Sequence, residues 1–217
     1  LINVIVGIIA VTLFDLMGEN NWGLLEMVAW PPWLELLATI VVFDFIAQYC
    51  AHYMVHNFKP LWRIHLVHHS DTKVDATTGT RLHPLDFITR EAFAILAVFI
   101  MGAPLGFYVL YRIITIAYTY FNHANLKLPL KVDKAISWVF ISPNTHKFHH
   151  HFEEPWTNKN YGNIFSIWDR IFGTFAYGDI NDVVYGLDVT DDTKSDDLGY
   201  QMMLPIKNNG KVKIKNT

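Results

Sequence analysis

The chain is poor in cysteine and in charged side chains. Its 217 residues include one cysteine, Cys50, which excludes an intrachain disulfide framework. Asp, Glu, Lys and Arg make up 17% of the residues, whereas average soluble domains have roughly 25%. The formal net charge is −3 and no long basic run is present, so nucleic-acid binding is not indicated. Hydrophobic residues make up 52% of the chain, which indicates a protein that is partly embedded in a lipid bilayer.

Three long apolar stretches predict membrane-embedded helices. Residues 1–17 lack the basic start of a signal peptide, so we expect a membrane anchor there. Residues 34–54 contain one internal acid, Asp44, which either orients a metal-bound histidine or lies near the membrane interface. Residues 93–120 are interrupted at 101–106 by a proline and two glycines. They predict a hairpin of two short helices that enter the membrane from one side, or alternatively one kinked spanning helix.

These patterns predict an all-α, multi-pass membrane protein with one domain. Residues 1–177 form its membrane-embedded part, and residues 178–217 form a polar, soluble cap that is not independent and has a loose basic end. Basic residues accompany the histidines, and by the positive-inside rule they place this side of the protein in the cytoplasm. They are Lys59, Arg63, Lys73, Arg81, Arg90, Lys127, Lys131, Lys134 and Lys147.

Histidine is the residue type that stands out. Residues three or four apart share one face of a helix, so the rings of a cluster with this spacing converge. Imidazole is the commonest side-chain metal ligand, and eight rings exceed the four ligands of a tetrahedral ion. The sequence therefore predicts two metal ions. The three clusters are His52 and His56; His65, His68 and His69; and His146, His149 and His150.

Two further histidines flank the third apolar stretch. The chain leaves the predicted site, enters the membrane and returns, which favours a site at the membrane surface. His83 and His123 lie just before and just after this excursion, and we expect both to complete the ligand set. His151 is excluded because it is rotated by about 100° from the preceding residue of the third cluster.

The all-histidine character of the clusters limits the chemistry. The Glu and Glu-x-x-His pattern of soluble di-iron helical bundles is absent. Neutral imidazoles leave two irons with high positive charge, which suits reduction of O₂ and attack on an unactivated C–H bond of an apolar substrate. Zinc-dependent lipid hydrolysis is the competing hypothesis, since zinc also takes histidine and polarises bound water. The second competing hypothesis is a non-catalytic membrane subunit of a larger complex.

Four segments resemble the fatty acid hydroxylase/sterol desaturase superfamily, in its bacterial-type branch. They are residues 44–86, FNHAN at 121–125, SPNTHKFHHH at 142–151 and NYGNIFSIWDRIFGTF at 160–175. The resemblance implies an integral-membrane, non-haem di-iron enzyme that hydroxylates, desaturates or oxidises a lipid with O₂. It assigns the three clusters as metal ligands, with zinc as a possible metal in the purified protein.

The resemblance also implies an external source of electrons. These residues contain no rubredoxin-like CxxC pair, so we expect a separate ferredoxin- or cytochrome-type protein as donor. The expected location is the bacterial inner membrane, with the metals on the cytoplasmic side. Two positions depart from the family pattern. His151 stands where a small polar residue is usual, and Thr119 stands where fatty acid 2-hydroxylases have a histidine, which argues against their substrate.

Other polar residues admit two interpretations. Arg63 either packs beside the histidines or holds a substrate head group. The motif Trp168-Asp169-Arg170 is interpreted as structural, and a less favoured alternative makes Asp169 the hydrogen-bond partner of a ligand histidine. Three further acids near the clusters either fix a histidine tautomer or lie at the surface. They are Asp71, Asp75 and Asp86.

Overall fold

The computed structural model describes residues 2–207, and within them the regular structure is helical. Ten α-helices form, together with one π-helical segment and short 3₁₀ turns. No β-strand occurs in this part of the chain, where a single β-bridge joins Phe140 and Phe165. The all-α prediction is therefore confirmed for the described residues.

The N-terminal third contains the most apolar helices. Helix α1 covers Ile2–Asn20, and α2 covers Pro32–Phe43. The π-helical segment Asp44–Cys50 continues α2 directly into α3, Ala51–Asn57. Two stretches, Val4–Met27 and Pro32–Asn57, are long and apolar enough to cross a membrane by length and composition. They correspond to the first two apolar stretches of the sequence.

The third apolar stretch forms two helices rather than one kinked helix. Helix α5 covers Pro84–Met101 and α6 covers Leu105–His123, with 18 and 19 residues. Gly102 ends α5 in the left-handed region at φ +64°, and Pro104 precedes α6. Of the two predicted alternatives the structure shows the hairpin. Neither helix is among the two stretches that are long and apolar enough to cross a membrane.

The turn between α5 and α6 packs against the turn that follows α1. The amide of Leu24 donates to the carbonyl of Ile100 at 2.9 Å. A Cβ atom added at Gly102 would overlap the carbonyl oxygen of Trp22. Only glycine therefore fits at residue 102, both for its φ angle and for this close approach.

The main apolar core lies between α1, α2, α5 and α6. Phe43 and Tyr111 are completely buried there, with their rings edge to face at 5.2 Å. Ala97, Val98 and Met101 of α5 belong to the same cluster, as does Ile164 from the C-terminal half. The core therefore fixes the hairpin helices against α2.

Five further α-helices lie in the described part of the chain. They are α4 at Lys59–His69, α7 at Leu130–Ile136, α8 at Pro143–His149, α9 at Ile167–Ile171 and α10 at Leu198–Lys207.

The predicted C-terminal cap is attached to α4 through side-chain hydrogen bonds. The hydroxyl of Ser70 donates to the side chain of Gln201 at 3.0 Å, and the Arg63 guanidinium donates to the carbonyl of Ile206 at 3.3 Å. Arg63 is thus engaged with the cap. The predicted loose basic end lies at 208–217, outside the described residues.

Candidate metal centre

Four helices bring the histidines together. Helix α3 supplies the first cluster, α4 the second and α8 most of the third, and the last residue of α6 is His123. Ser142 caps α8, because its hydroxyl accepts from the amide of Thr145 at 3.2 Å and Thr145 in turn accepts from the amide of Ser142. This capping box fixes where α8 begins, and so the direction in which its histidines face.

Nine of the ten predicted ligands lie in two groups. Within each group, one ring nitrogen per residue lies within 4.8 Å of those of all other members. His65 and His69 are four residues apart and face one group, whereas His68 is rotated around α4 and faces the other. The five-histidine group is His52, His56, His65, His69 and His149, and the four-histidine group is His68, His123, His146 and His150.

The spacing of the nitrogens fits metal coordination. The Nε2 atom of His123 lies 3.3 Å from that of His68, 3.0 Å from that of His146 and 3.2 Å from that of His150. Two nitrogens each about 2.1 Å from one ion are about 3.0 Å apart at a right angle and about 3.4 Å apart in a tetrahedron. In the other group the Nε2 atoms of His56 and His69 are 3.1 Å apart. Both groups therefore pass this test of fit.

Main-chain carbonyls set the tautomer of three rings. A carbonyl oxygen only accepts hydrogen bonds, so a ring Nδ1 that faces one carries the proton and leaves the lone pair on Nε2. The acceptors are Tyr161 for His52 at 2.9 Å, Lys159 for His149 at 2.6 Å and Thr119 for His123 at 2.7 Å. The Nε2 atoms of His52 and His149 are buried and have no hydrogen-bond partner among the described residues, as expected of metal-binding atoms.

Side chains orient two further rings. The Nδ1 of His65 lies 2.7 Å from Asp86 Oδ2, and the Nδ1 of His56 lies 3.3 Å from Asn158 Oδ1. Such partners orient a ligand histidine and raise its basicity. Of the three acids near the clusters, Asp86 therefore fixes a histidine. Asp71 and Asp75 instead accept hydrogen bonds from threonines of the following loop.

Burial keeps the imidazoles neutral. It lowers the pKa of His149 to about 3, against the opposing effect of the Lys159 carbonyl. Burial also lowers the pKa values of His68, His69, His146 and His150 well below the ordinary range, with neighbouring histidines adding to the effect. Neutral rings offer their lone pairs at pH 7, so protons compete weakly with a metal ion.

Two buried acids act on the loop that follows α8. Asp44 contacts no histidine; its carboxylate accepts from the amides of Ile164 and Phe165 and from the indole of Trp168, at 3.0 to 3.2 Å. Of the two interpretations of Asp44, the one in which it orients a histidine is therefore wrong. Its real partners lie about 120 residues further along the chain, where no local pattern could indicate them.

Asp169 affects a histidine indirectly, through the main chain of Tyr161. It accepts from the amides of Tyr161 at 2.8 Å and Gly162 at 2.9 Å and from the Thr174 hydroxyl at 2.7 Å. The carbonyl of Tyr161 holds His52. This supports the structural interpretation of the Trp-Asp-Arg motif. Sequence reasoning missed Asn158 and all three carbonyls, because a carbonyl has no side-chain signal and Asn158 ends a short 3₁₀ turn that matches no ligand pattern.

His83 and His151 lie outside both groups. The ring of His83 caps α5, where its Nδ1 accepts from the amide of Leu85 at 3.2 Å. The structure thus does not bring this predicted ligand to the others. His151, which the predicted set leaves out, accepts from the amide of Val184 through its Nδ1 at 3.0 Å.

A cavity of about 490 Å³ reaches the histidines from between α5 and α6. His52, His68, His123 and His146 line it, so members of both groups face the same space. Both groups consist of histidine alone, with no carboxylate among their members. The arrangement can hold two transition-metal ions beside a cavity large enough for part of an apolar ligand.

Comparison with known proteins agrees with this geometry. The chain is 29% identical to the ornithine lipid hydroxylase of Rhizobium tropici, over 67% of this chain and 43% of that protein. It is 30% identical to the alkylglycerol monooxygenase of Homo sapiens, over 77% and 36%. It is 27% identical to the lathosterol oxidase of Mus musculus, over 67% and 47%. The chain therefore spans less than half the length of these relatives.

No solved structure matches the chain significantly. The sequence model of the family described as fatty acid hydroxylase matches residues 36–174. This range holds all nine grouped histidines as well as Asp86 and Asp169, which support them. From this match over most of its length, the chain belongs to the fatty acid hydroxylase family.

Proposed function

We propose that the chain is a membrane-bound, non-haem di-iron oxygenase that hydroxylates or desaturates a lipid. It uses O₂ and electrons from a separate ferredoxin- or cytochrome-type protein. The observation that carries this proposal is the pair of buried, neutral histidine groups at one end of a cavity. The names of the relatives, a hydroxylase, a monooxygenase and an oxidase, support the same reaction class.

The two groups divide the ligand set between two irons. The five-histidine group holds one iron and the four-histidine group the other, with His83 outside the set that the geometry supports. When bound, the irons supply the reduction of O₂ and the oxidation of a C–H bond. Five nitrogens exceed the four of a tetrahedral zinc site, which favours iron over zinc as the working metal.

The residues of the chain orient the metal ligands and provide apolar surface for the substrate. Asp86, Asn158 and the loop carbonyls hold the ring nitrogens towards the ions. The apolar lining of the cavity includes Phe87, Ala94 and Ile116, which suit an acyl or isoprenoid chain. Hydroxylation and desaturation begin with removal of one hydrogen, so this geometry serves both.

The membrane arrangement follows from the apolar helices. We place α1 and the continuous helix α2–α3 across the bilayer of a bacterial inner membrane, with the metal centre on the cytoplasmic side. The basic residues around the histidines support this orientation. Labelling of single cysteines introduced at Lys131 and at Lys207 in intact cells tests it, since both should be protected until the membrane is permeabilised.

Metal content is the decisive experiment. Elemental analysis and Mössbauer spectroscopy of protein loaded with iron-57 should find two irons per chain. His68→Ala and His149→Ala, one from each group, should each lose iron, whereas His151→Ala is the matched control and should retain both ions. Iron-loaded protein should then convert lipids only with O₂ and reductant.

The rival hypotheses predict different results. Zinc in place of iron, with turnover that needs neither O₂ nor reductant, would establish a hydrolase instead. A protein that binds no metal, and whose histidine variants behave as wild type, would be a non-catalytic membrane subunit.

A further inference from the structure

The cavity beside the metal centre has a charged wall away from the histidines. One face of α6 lines it, with residues spaced three and four apart between Arg112 and His123. Eleven residues of helix rise about 16 Å, or about three turns. The cavity therefore extends well beyond the space next to the ring nitrogens.

An ion pair joins the two helices that border this cavity. Arg112 Nη1 of α6 lies 2.8 Å from Glu91 Oε1 of α5, and both side chains line the cavity. Glu91 stands five residues, about 7.5 Å, along α5 from Asp86, which bonds His65. Along either helix the pair is thus separated by more than one turn from the residues of the metal centre.

The charges on this wall are balanced. The side chain of Glu91 is 7% exposed and that of Arg112 is 30% exposed. Arg90 also lines the cavity, and its guanidinium pairs with Asp86 at 3.2 Å. The two arginines are therefore each matched by one carboxylate, and the wall is polar with no net charge.

Stability alone is a weak reason for such a pair. Replacing a shielded ion pair by apolar residues of similar size is often neutral or stabilising. Arg112 has five N–H donors, and its described contacts are Glu91 and the ring of Tyr108 at 5.9 Å. Arg112 lines the cavity together with the apolar side chains of Ala94 and Ile116. N–H donors of Arg112 thus remain available to a ligand in the cavity.

We propose that the Glu91–Arg112 pair selects a lipid that carries an uncharged oxygen group, with a hydroxyl as the best match. A hydroxyl accepts from the guanidinium and donates to the carboxylate at the same time. A hydrocarbon would cover the remaining N–H donors of Arg112 without offering them an acceptor, and an anion would add an unmatched charge beside Glu91. The inference rests on the proposed function and deepens it by naming the chemistry of the substrate.

Binding of three matched probes tests this inference. Iron-loaded protein in lipid nanodiscs is incubated with hexadecanol, hexadecane and hexadecanoate in competition, and the retained ligand is measured by mass spectrometry. Wild type should prefer the alcohol to both others. Glu91→Leu combined with Arg112→Met should reduce the preference for alcohol over alkane by about tenfold, as expected for the loss of one or two hydrogen bonds.

Two further variants make the result interpretable. Lys131→Met removes an exposed positive charge outside the cavity and should behave as wild type. Arg112→Lys keeps the charge but loses the forked donors, so the alcohol preference should fall several-fold. Iron content equal to wild type shows that each variant retains its fold. If the double variant loses iron, the alcohol preference of Arg112→Lys compared with that of wild type tests the inference.

Each contrary outcome overturns the inference. These outcomes are equal binding of alcohol and alkane by wild type, a preference for hexadecanoate, and full alcohol preference in the variants of the pair. Binding requires no turnover, so the two proposals fail separately. Alcohol selectivity without any O₂-dependent product would leave this inference standing and contradict the oxygenase.

Discussion

The Nδ1 of His65 lies 2.7 Å from the Oδ2 of Asp86, and both side chains are fully shielded from solvent. Burial opposes ionisation of Asp86, but His65 and the guanidinium of Arg90 together hold the pKa of this carboxyl at about 2. The carboxylate is therefore charged at neutral pH. It fixes the proton of His65 on Nδ1 and turns Nε2 towards the five-histidine group.

Asp86→Asn should weaken iron binding by about 10 to 100-fold, the usual effect of removing the partner of a ligand histidine. The amide is nearly isosteric but no longer carries the charge that orients the ring. Competition with a graded series of iron chelators measures the change. Asp75→Asn is the matched control, because Asp75 accepts from the amide of Thr77 and lies at the surface. Equal iron affinity in Asp86→Asn and wild type would refute this role.

His83→Ala should keep two irons per chain. Its ring caps α5 through the amide of Leu85, so the expected loss is in stability, by about 0.5 to 1 kcal/mol of unfolding free energy. Thermal unfolding and elemental analysis of the same preparation separate the two effects. Loss of one iron in this variant, as in His68→Ala, would instead make His83 a ligand.

The positions of the histidines follow largely from local sequence. Spacings of three and four residues are enough to predict which rings share a helix face, and nine of ten predicted ligands lie in the two groups. The division between the groups was not predictable. It depends on how α3, α4, α6 and α8 pack, and α4 and α8 each contribute to both groups.

The supporting contacts were much less accessible from sequence. Asp44 was recognised as unusual, but its partners at 164–168 are brought to it only by tertiary packing. The carbonyls of Thr119, Lys159 and Tyr161 hold rings through atoms that every residue has. Residue type therefore predicts which histidines gather at this centre better than it predicts the groups that orient them.

Gly102→Ala should destabilise the protein by about 2 kcal/mol or more. Residue 102 has φ +64°, and the added methyl would overlap the carbonyl oxygen of Trp22. The turn between α5 and α6 would have to move away from the turn after α1. Thermal unfolding in detergent measures this effect.

Gly106→Ala is the appropriate control for that change. Gly106 lies in the first turns of α6, and an added Cβ atom would meet nothing within 4 Å. Alanine is favoured over glycine within a helix by up to about 1 kcal/mol, so this variant should be neutral or slightly stabilised. If both variants unfold at the same temperature, the close packing of the two turns does not contribute to stability.

Asp169→Asn should affect both stability and iron binding. Burial raises the pKa of Asp169 to about 6, yet at pH 7 the carboxylate still predominates and accepts from the amides of Tyr161 and Gly162. An amide has only one acceptor oxygen, so one buried N–H loses its partner at a cost of about 1 to 3 kcal/mol. The loop then holds the Tyr161 carbonyl less firmly against His52.

A second buried acid separates these two effects. Asp133 accepts from the hydroxyl of Tyr177 and contacts neither Tyr161 nor a histidine. Asp133→Asn should therefore lower the unfolding temperature while leaving the iron affinity close to that of wild type. In Asp169→Asn, chelator competition should also show weaker iron binding, because the ring of His52 is then less well oriented. Equal iron affinities in the two variants would mean that Asp169 supports the fold without acting on His52.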